Sequence, residues 1–365
     1  MYYYKITDLI VESVRELCSY KDFLCEPAKA DITVTETDEL PPHGLEVVSR
    51  TVAHRKIADG WFFHNGSTEQ RGLYISEDYS KLKVLGTDDP VVMGLIKESE
   101  WFIRLAIECV LTRRGYLSLH AAAVEVKGKA YAFSGPSGIG KSTRADAWKE
   151  AFGAELINGD RPLIDTYKLE LYGVPWDGKE QCFRNVHYPL KAICEVRRSE
   201  STYIREMNFS QRRKLLLQQS FLPMWDTETA VIQMANIARL AAHAEMVRIF
   251  SGPSSEDAGK LFSAFDNHNY LIEKRDMKAK PGFVLRNVED EYILIPTGGN
   301  IGKFNGTILL NDVSAFVWEK LQNSLSRDDL LKAILDEFEV EKDVAAADLD
   351  TILATLKEYD VIEDD

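Results

Sequence analysis

Residues Gly135 to Ser142 read G-P-S-G-I-G-K-S, which fits the spacing G-x-x-x-x-G-K-[ST]. Gly135, Gly138 and Gly140 let the backbone turn so that successive N–H groups point inward, toward the oxygens of a phosphate chain. A helix opened at Lys141 adds its positive end. Lys141 is then in reach of the β- and γ-phosphates, and the Ser142 hydroxyl is a ligand for Mg²⁺. Pro136, Ser137, Ile139 and Thr143 complete the set expected to touch the nucleotide. The chemistry implied is binding of ATP with Mg²⁺; a plain Gly-rich turn is the other reading. The loop alone does not say what happens to the terminal phosphate.

A carboxylate is needed beside such a loop, to hold the metal or to take a proton from an attacking hydroxyl. Asp160 ends the run Leu156-Ile-Asn-Gly-Asp, at the C-terminal edge of an expected strand, where open α/β sheets bind ligands. N-G-D-R-P is also composed like a turn, so a structural Asp160 is the rival reading. His120 lies before the loop strand, on an apolar run, where a satisfied core histidine is the commoner role.

The surrounding elements fit a phosphate loop. Ala130-Tyr-Ala-Phe-Ser reads as the strand feeding it, and Ser142 to Ala151 as the helix after it. Leu117 to Val126 reads as one earlier strand, and Ala154 to Asn158 as the strand that delivers Asp160. Helices over Ser210 to Leu222, Thr227 to Ala242 and Ser255 to Phe265, with a strand at Met246 to Phe250, complete an α/β region spanning 116–270. Before it, residues 1–115 form an α+β lobe without a chemical motif. Short β-like runs there (Asp31-Ile-Thr-Val, Leu82-Lys-Val-Leu) alternate with turns such as Asp38 to Gly44, and a helix is expected over Val91 to Arg113. Asn267 to Gly282 reads as a linker. The last region, 281–365, opens with a hairpin (Phe283 to Val288, Tyr292 to Ile295) and a third strand at Thr307 to Leu310. Three helices follow, the second started by Ser326 with Asp329 three residues on.

Bulk properties narrow the field. The chain has 365 residues and a net charge of -14. Residues 281–365 hold 7 basic and 19 acidic side chains, so a net -12 sits in that region. Such a surface repels a phosphate backbone, and nucleic acid is not an expected partner. No apolar run approaches the roughly 20 residues that cross a bilayer, and the N-terminus M-Y-Y-Y-K-I-T-D is unlike a signal peptide. A cytoplasmic protein without a membrane partner is expected. Cys18, Cys25, Cys109, Cys182 and Cys194 form no C-x-x-C pair, so free thiols are expected.

Taken together, H-A-A-A-V at His120, the loop G-P-S-G-I-G-K-S-T, and L-I-N-G-D-R resemble the catalytic domain of HPr kinase/phosphorylase. That family phosphorylates a serine on a carrier protein, using a phosphate loop on a fold similar to phosphoenolpyruvate carboxykinase. The resemblance spans roughly 116–266 and implies roles. Asp160 would be the general base, Lys141 the phosphate-binding lysine, and His120 the residue that positions the base or the phosphates. A metal-binding Glu would fall on Glu170, with Asp177 and Glu180 close by. Two features depart from the family. Gly159 stands where a second Asp is usual, and Phe250 to Asp257 replaces the Arg-Pro-Gly-Arg-Asn stretch tied to the carrier protein and the reverse reaction. The family often forms hexamers, so a homo-oligomer remains open.

Residues 281–365 resemble PqqD, a winged-helix-like peptide-binding protein whose relatives recognise leader peptides in ribosomal peptide modification. The resemblance implies an extended leader added as a strand at 307–310, beside a helix over 344–357. A winged-helix DNA reader has a similar element order, and the acidity weighs against it. The two resemblances together imply a serine kinase acting on a precursor peptide, as in lasso-peptide clusters. A nucleotide-switched peptide chaperone and a kinase of free serine or another small alcohol are the alternatives. The acceptor and the choice of ATP over GTP or pyrophosphate lie beyond the sequence.

Overall fold

In Ile32-Thr-Val-Thr, the period-two pattern puts Ile32 and Val34 inside and leaves Thr33 and Thr35 half-buried. Their strand belongs to an eight-stranded sheet in the computed structural model of the chain. The structure describes residues 1–364 apart from 45–46, 50–51, 66–69, 87–90, 93–95, 177–182, 269, 271–275, 289–290, 302–306 and 324. The sheet runs β1 (Tyr2–Ile6), β2 (Leu9–Ser13), β3 (Ile32–Thr37), β8 (Lys81–Leu85), β7 (Gly72–Ser76), β6 (Gly60–His64), β5 (Val52–Ile57), β4 (Val47–Ser49). Pairs β2–β3 and β3–β8 are parallel and the others antiparallel.

A two-stranded pair, β9 (Val91–Val92) and β10 (Ile96–Lys97), precedes helix α1 (Glu98–Arg113). The helix expected from Val91 therefore starts at Glu98, because Val91, Val92 and Ile96 before it pair as strands. α1 is buried almost all round, and two of its acids hold defined partners. Glu100 accepts from the Cys18 and Ser19 amides at 2.8 and 3.0 Å, and Glu108 pairs with Arg104 at 3.2 Å. One hydrophobic core joins α1 to Tyr4, Phe63 and Leu82 of the eight-stranded sheet and to Tyr116, Leu163 and Trp176 beyond the helix. The expected lobe 1–115 and region 116–270 accordingly fall in one compact unit, Met1–Leu271.

The second sheet has nine strands: β11 (Tyr116–Ser118), β12 (Ala121–Val126), β13 (Lys129–Ser134), β14 (Glu155–Asn158), β15 (Leu163–Asp165), β16 (Glu170–Tyr172), β17 (His187–Arg198), β18 (Tyr203–Glu206) and β19 (Met246–Ser251). Helices α2 (Lys141–Phe152), α3 (Phe209–Gln219), α4 (Thr227–His243) and α5 (Ser255–Asp266) connect and cover them. Strands β13, β17 and β19 are parallel neighbours, while β12 lies antiparallel between β13 and β14. The C-terminal ends of β13, β14, β17 and β19 and the start of β12 therefore share one edge of the sheet. The strand expected over Leu117 to Val126 is two strands, broken at Leu119 and His120, where Leu119 N–H bonds Pro162 C=O and His120 N–H bonds Gln219 C=O.

Trp148 of α2 is fully buried among Tyr131, Phe133, Phe152, Phe262 and Phe265. Trp148→Ala is expected to lower unfolding stability by about 3–5 kcal/mol in a denaturant titration, the usual cost of emptying an aromatic core site. Of the four described cysteines, all free, Cys109 and Cys194 are buried and burial pushes both thiols up. Cys182 lies outside the described residues.

The second compact unit is Ile272–Asp365. β20 (Asp276–Ala279) pairs with β24 (Leu325–Ser326) and β25 (Ile362–Asp364). The expected linker is thus a strand in its second half, fixed by ladders at both of its sides. β21 (Phe283–Val288), β22 (Glu291–Pro296) and β23 (Ile308–Leu310) form a three-stranded antiparallel sheet as expected. Helices α6 (Asp312–Lys320), α7 (Arg327–Glu337) and α8 (Lys342–Glu358) complete the unit. The Ser326 hydroxyl accepts from Asp329 N–H at 3.2 Å, capping α7. Among the described residues no helix is long and apolar enough to cross a membrane.

Candidate functional site

The shared sheet edge gathers the residues singled out in the sequence. β13 ends at Ser134 and leads into the glycine loop, where Gly135, Gly138 and Gly140 have φ of 144°, 76° and 108°. A Cβ at Gly140 would also lie 2.6 Å from an Arg144 nitrogen, so glycine there answers both the backbone angle and the space. α2 begins at Lys141, with Gly140 at its N-cap. Ser142 and Thr143 occupy its first turn, whose amides have no partner within a helix.

Two cations hold the loop's carbonyls. Lys141 Nζ donates to Gly135 C=O at 3.1 Å and Pro136 C=O at 3.4 Å. Arg198, ending β17, donates to Gly138 and Ile139 C=O, the latter at 3.3 Å. A peptide's N–H points opposite to its C=O. Drawing the Ile139 carbonyl to one side therefore turns the Gly140 amide to the other. Ile139 N–H closes a turn onto Pro136 C=O, and Ser137 lies within that turn.

β14 ends at Asn158, whose side-chain oxygen accepts from Asp160 N–H at 3.1 Å and Arg161 N–H at 2.7 Å. This side-chain turn is what the composition of N-G-D-R signalled. It presents the Asp160 carboxylate to His120, just ahead of β12. His120 Nε2 lies 3.2 Å from Asp160 Oδ1, and its Nδ1 lies 3.1 Å from Gln219 Oε1. Ala121 N–H bonds Asp160 C=O at 2.8 Å, locking the two segments together. Asp160 is thus both a turn residue and one half of a polar pair, and His120 is half-buried at a strand break, not packed in a core.

Charge sets the state of this cluster. Burial pushes the Asp160 carboxyl up, but the His120 hydrogen bond and the positive charges of Arg161, His120 and Arg104 outweigh it. The carboxyl ends below the usual carboxylate range and is ionised at neutral pH. Burial draws Lys141 down, opposed by the charge of Asp160. Because a lowered carboxyl pKa stabilises the fold above the ordinary carboxylate range and loses that effect as pH falls through the lowered value, removing the hydrogen bond has a signed consequence. In His120→Phe the Asp160 carboxyl should titrate at higher pH, as followed by ¹³C NMR of the labelled carboxyl. An unchanged titration would mean that His120 does not hold Asp160.

Glu170 does not join the cluster. It opens β16, opposite Asp165 and Pro189, and accepts from the Tyr172 hydroxyl at 2.6 Å. Pro189 precedes Leu190, the partner of Ala130, so Glu170 is level with the start of β13, about 15 Å of strand from the glycine loop. The expectation that Glu170 ligates metal with Ser142 is therefore corrected: the direction of the β15–β16 hairpin carries it away. Asp177 and Glu180 lie outside the described residues. Among the described residues no group of three or more His, Cys, Asp and Glu side chains could hold a metal alone.

Sequence reasoning missed Gln219, Arg161, Arg104 and Arg198. Each acts across more than thirty residues of chain or through a neighbour's charge, and no local spacing marks them. It also missed a cavity of about 520 Å³ lined by Thr143, Arg144, Arg198 and Pro253, beside the loop at the ends of β17 and β19.

In the second unit, β23 is an edge strand with Leu309 65% exposed, and it packs on α6. α8 packs on α7 and β25 and leaves Val344 52% exposed. Residues 288–362 match the family described as Coenzyme PQQ synthesis protein D (PqqD). The chain thus carries a PqqD domain at its C-terminal end, within a mixed α/β protein. Among solved structures, TbiB1 in complex with the TbiA(beta) leader peptide is 21% identical, over 24% of this chain and 94% of that one, with a TM-score of 0.21. Lasso peptide synthetase B1 complexed with the leader peptide is 20% identical, over 24% of this chain and 98% of that one, with a TM-score of 0.21. No curated protein matches the chain.

Proposed function

We propose that the chain is an ATP-dependent phosphotransferase that modifies a Ser or Thr hydroxyl of a ribosomally made precursor peptide, captured through its leader by the PqqD domain. The observation that carries the reading is the ionised Asp160, hydrogen-bonded to His120 on the sheet edge that also bears the glycine loop and Lys141. The likeness of His120, Lys141 and Asp160 to the residues of HPr kinase supports it. The amides of 140–143 line the phosphates, and Lys141 exchanges its two loop carbonyls for phosphate oxygens. Asp160 takes the proton as the acceptor oxygen bonds to the γ-phosphorus and the β–γ bridging oxygen leaves with ADP. Ser142, at the start of α2, fits a nucleotide-borne Mg²⁺, which would offset phosphate charge.

The PqqD match and the exposed edge of β23 support leader capture by strand addition. Tethering raises the effective concentration of the acceptor hydroxyl. The test is mass spectrometry of precursor peptides encoded beside this gene, incubated with the protein, ATP and Mg²⁺, with Asp160→Asn alongside. Gain of one phosphate with the wild type alone is the expected result. Peptide binding without transfer would favour the second reading, a nucleotide-gated peptide chaperone, which Gly159 in place of a second Asp supports.

Arg198 has a distinct expected effect. Arg198→Ala frees the Gly138 and Ile139 carbonyls, so ADP affinity by calorimetry should fall about tenfold, the scale of one lost charge-assisted hydrogen bond.

A further inference from the structure

A cavity of about 700 Å³ lies between the eight-stranded sheet and α1. Its walls are Trp61 and Phe63 of β6, Trp101 and Leu105 of α1, and Leu222 and Trp225 of the segment after α3. Nothing in the glycine loop or the sheet edge explains such an aromatic lining.

Two of these walls run into the Asp160 site. The segment of Leu222 and Trp225 follows Gln219, the last residue of α3, whose side chain holds His120 and whose carbonyl accepts the His120 amide. Three residues on, Leu222 lines the cavity, at most about 10 Å of chain away. On α1, Trp101 and Leu105 face the cavity, while Arg104, adjacent on the helix, puts its charge on Asp160 and Arg161.

The lining selects the occupant. Among the described lining residues Lys56 is the one permanently ionic group, and its ammonium is stacked on the Trp61 ring at 4.2 Å and paired with Glu77 at 2.7 Å. His54 stacks on Phe63 with ring centres 5.3 Å apart, and burial draws its pKa down, so it presents a neutral ring. The described lining is otherwise aromatic and aliphatic, which favours an apolar group over the carboxylate and ammonium of a free amino acid. Volume and lining suit a drug-sized apolar group. Met224, 77% exposed, stands on the lining, so the cavity opens to solvent.

We infer that this cavity binds an apolar, aromatic-bearing peptide segment beside the His120–Asp160 pair, so that the sheet of residues 1–85 and α1 form the acceptor side of the site. The inference rests on the phosphotransferase reading for its purpose, not for its test. The full-length protein, without nucleotide, is titrated with acetyl-Gly-Phe-Ser-Phe-Gly-amide and with acetyl-Gly-Gly-Ser-Gly-Gly-amide, following tryptophan emission. The Phe-flanked peptide is expected to bind at least about tenfold more tightly, from the apolar area it buries. Met224→Asp and Leu222→Asp should each remove the difference, with melting temperature and ADP binding as controls of folding. Equal binding of the two peptides, or a preference that survives both substitutions, would overturn the inference. A preference for the Phe-flanked peptide with no phosphate transferred from ATP would sustain the cavity as a peptide site and overturn the phosphotransferase reading alone.

Discussion

Asp160→Asn should lower phosphate transfer to peptide by about 10²- to 10⁴-fold, the range that a positioned general base contributes. Asn keeps an oxygen that accepts from His120 Nε2 and keeps the backbone bonds to Asn158 and Ala121, so the fold and nucleotide affinity should change little. Only the charge and the proton acceptor are lost. The lowered pKa of Asp160 shapes the expectation further. A weak base takes a proton late, which suits a loose phosphoryl transition state in which the acceptor becomes acidic only as its bond to phosphorus forms. The wild-type rate should therefore hold steady as pH falls to the ordinary carboxylate range and decline only below it. Single-turnover rates read by mass spectrometry would show both effects. An Asn variant with more than about a tenth of wild-type rate would remove Asp160 from the role of base.

Loss of leader capture should be nearly as large and of a different kind. Leu309 and Val344 are exposed apolar side chains on β23 and α8, the two elements expected to receive the leader. The double change Leu309→Asp with Val344→Asp places charge on those elements without touching the buried core of Trp318, Leu349 and Leu353. For a full-length precursor, KM should rise by about 10²-fold with kcat held, since only tethering is lost. For the precursor stripped of its leader, the variant and the wild type should be equal. An unchanged KM for the full-length precursor would place leader binding elsewhere on the chain.

Legibility in the sequence followed the range of the interactions. The glycine loop with its flanking strand and helix, and the hairpin and three helices of the second unit, are written in local spacing and emerged with bounds close to those expected. The break at His120 was not legible, because Leu117 to Val126 holds no Gly or Pro to mark a turn and the break comes from Gln219 and Pro162 pairing with it from far along the chain. Helix α1 was misplaced at its start because Ile96 fits a helical stripe and a short strand equally well. Glu170 failed for a similar reason. The composition of K-L-E-L-Y marks a strand but not its direction, and direction decided which edge received the carboxylate.

The all-round burial of α1 bears on how the molecule is made. With most of its side chains buried between the eight-stranded sheet and the strands beyond it, α1 has little face to offer water, so neither the first 85 residues nor the strands beyond Tyr116 can mature alone. The parallel pairing of β13 with β17 adds a join between segments some sixty residues apart. Folding of the first 271 residues should then be a single slow event, completed only after β19 has been synthesised. Amides of α1 should be among the last to exchange with deuterium, and a proteolytic cut near Gly115 should release no folded fragment.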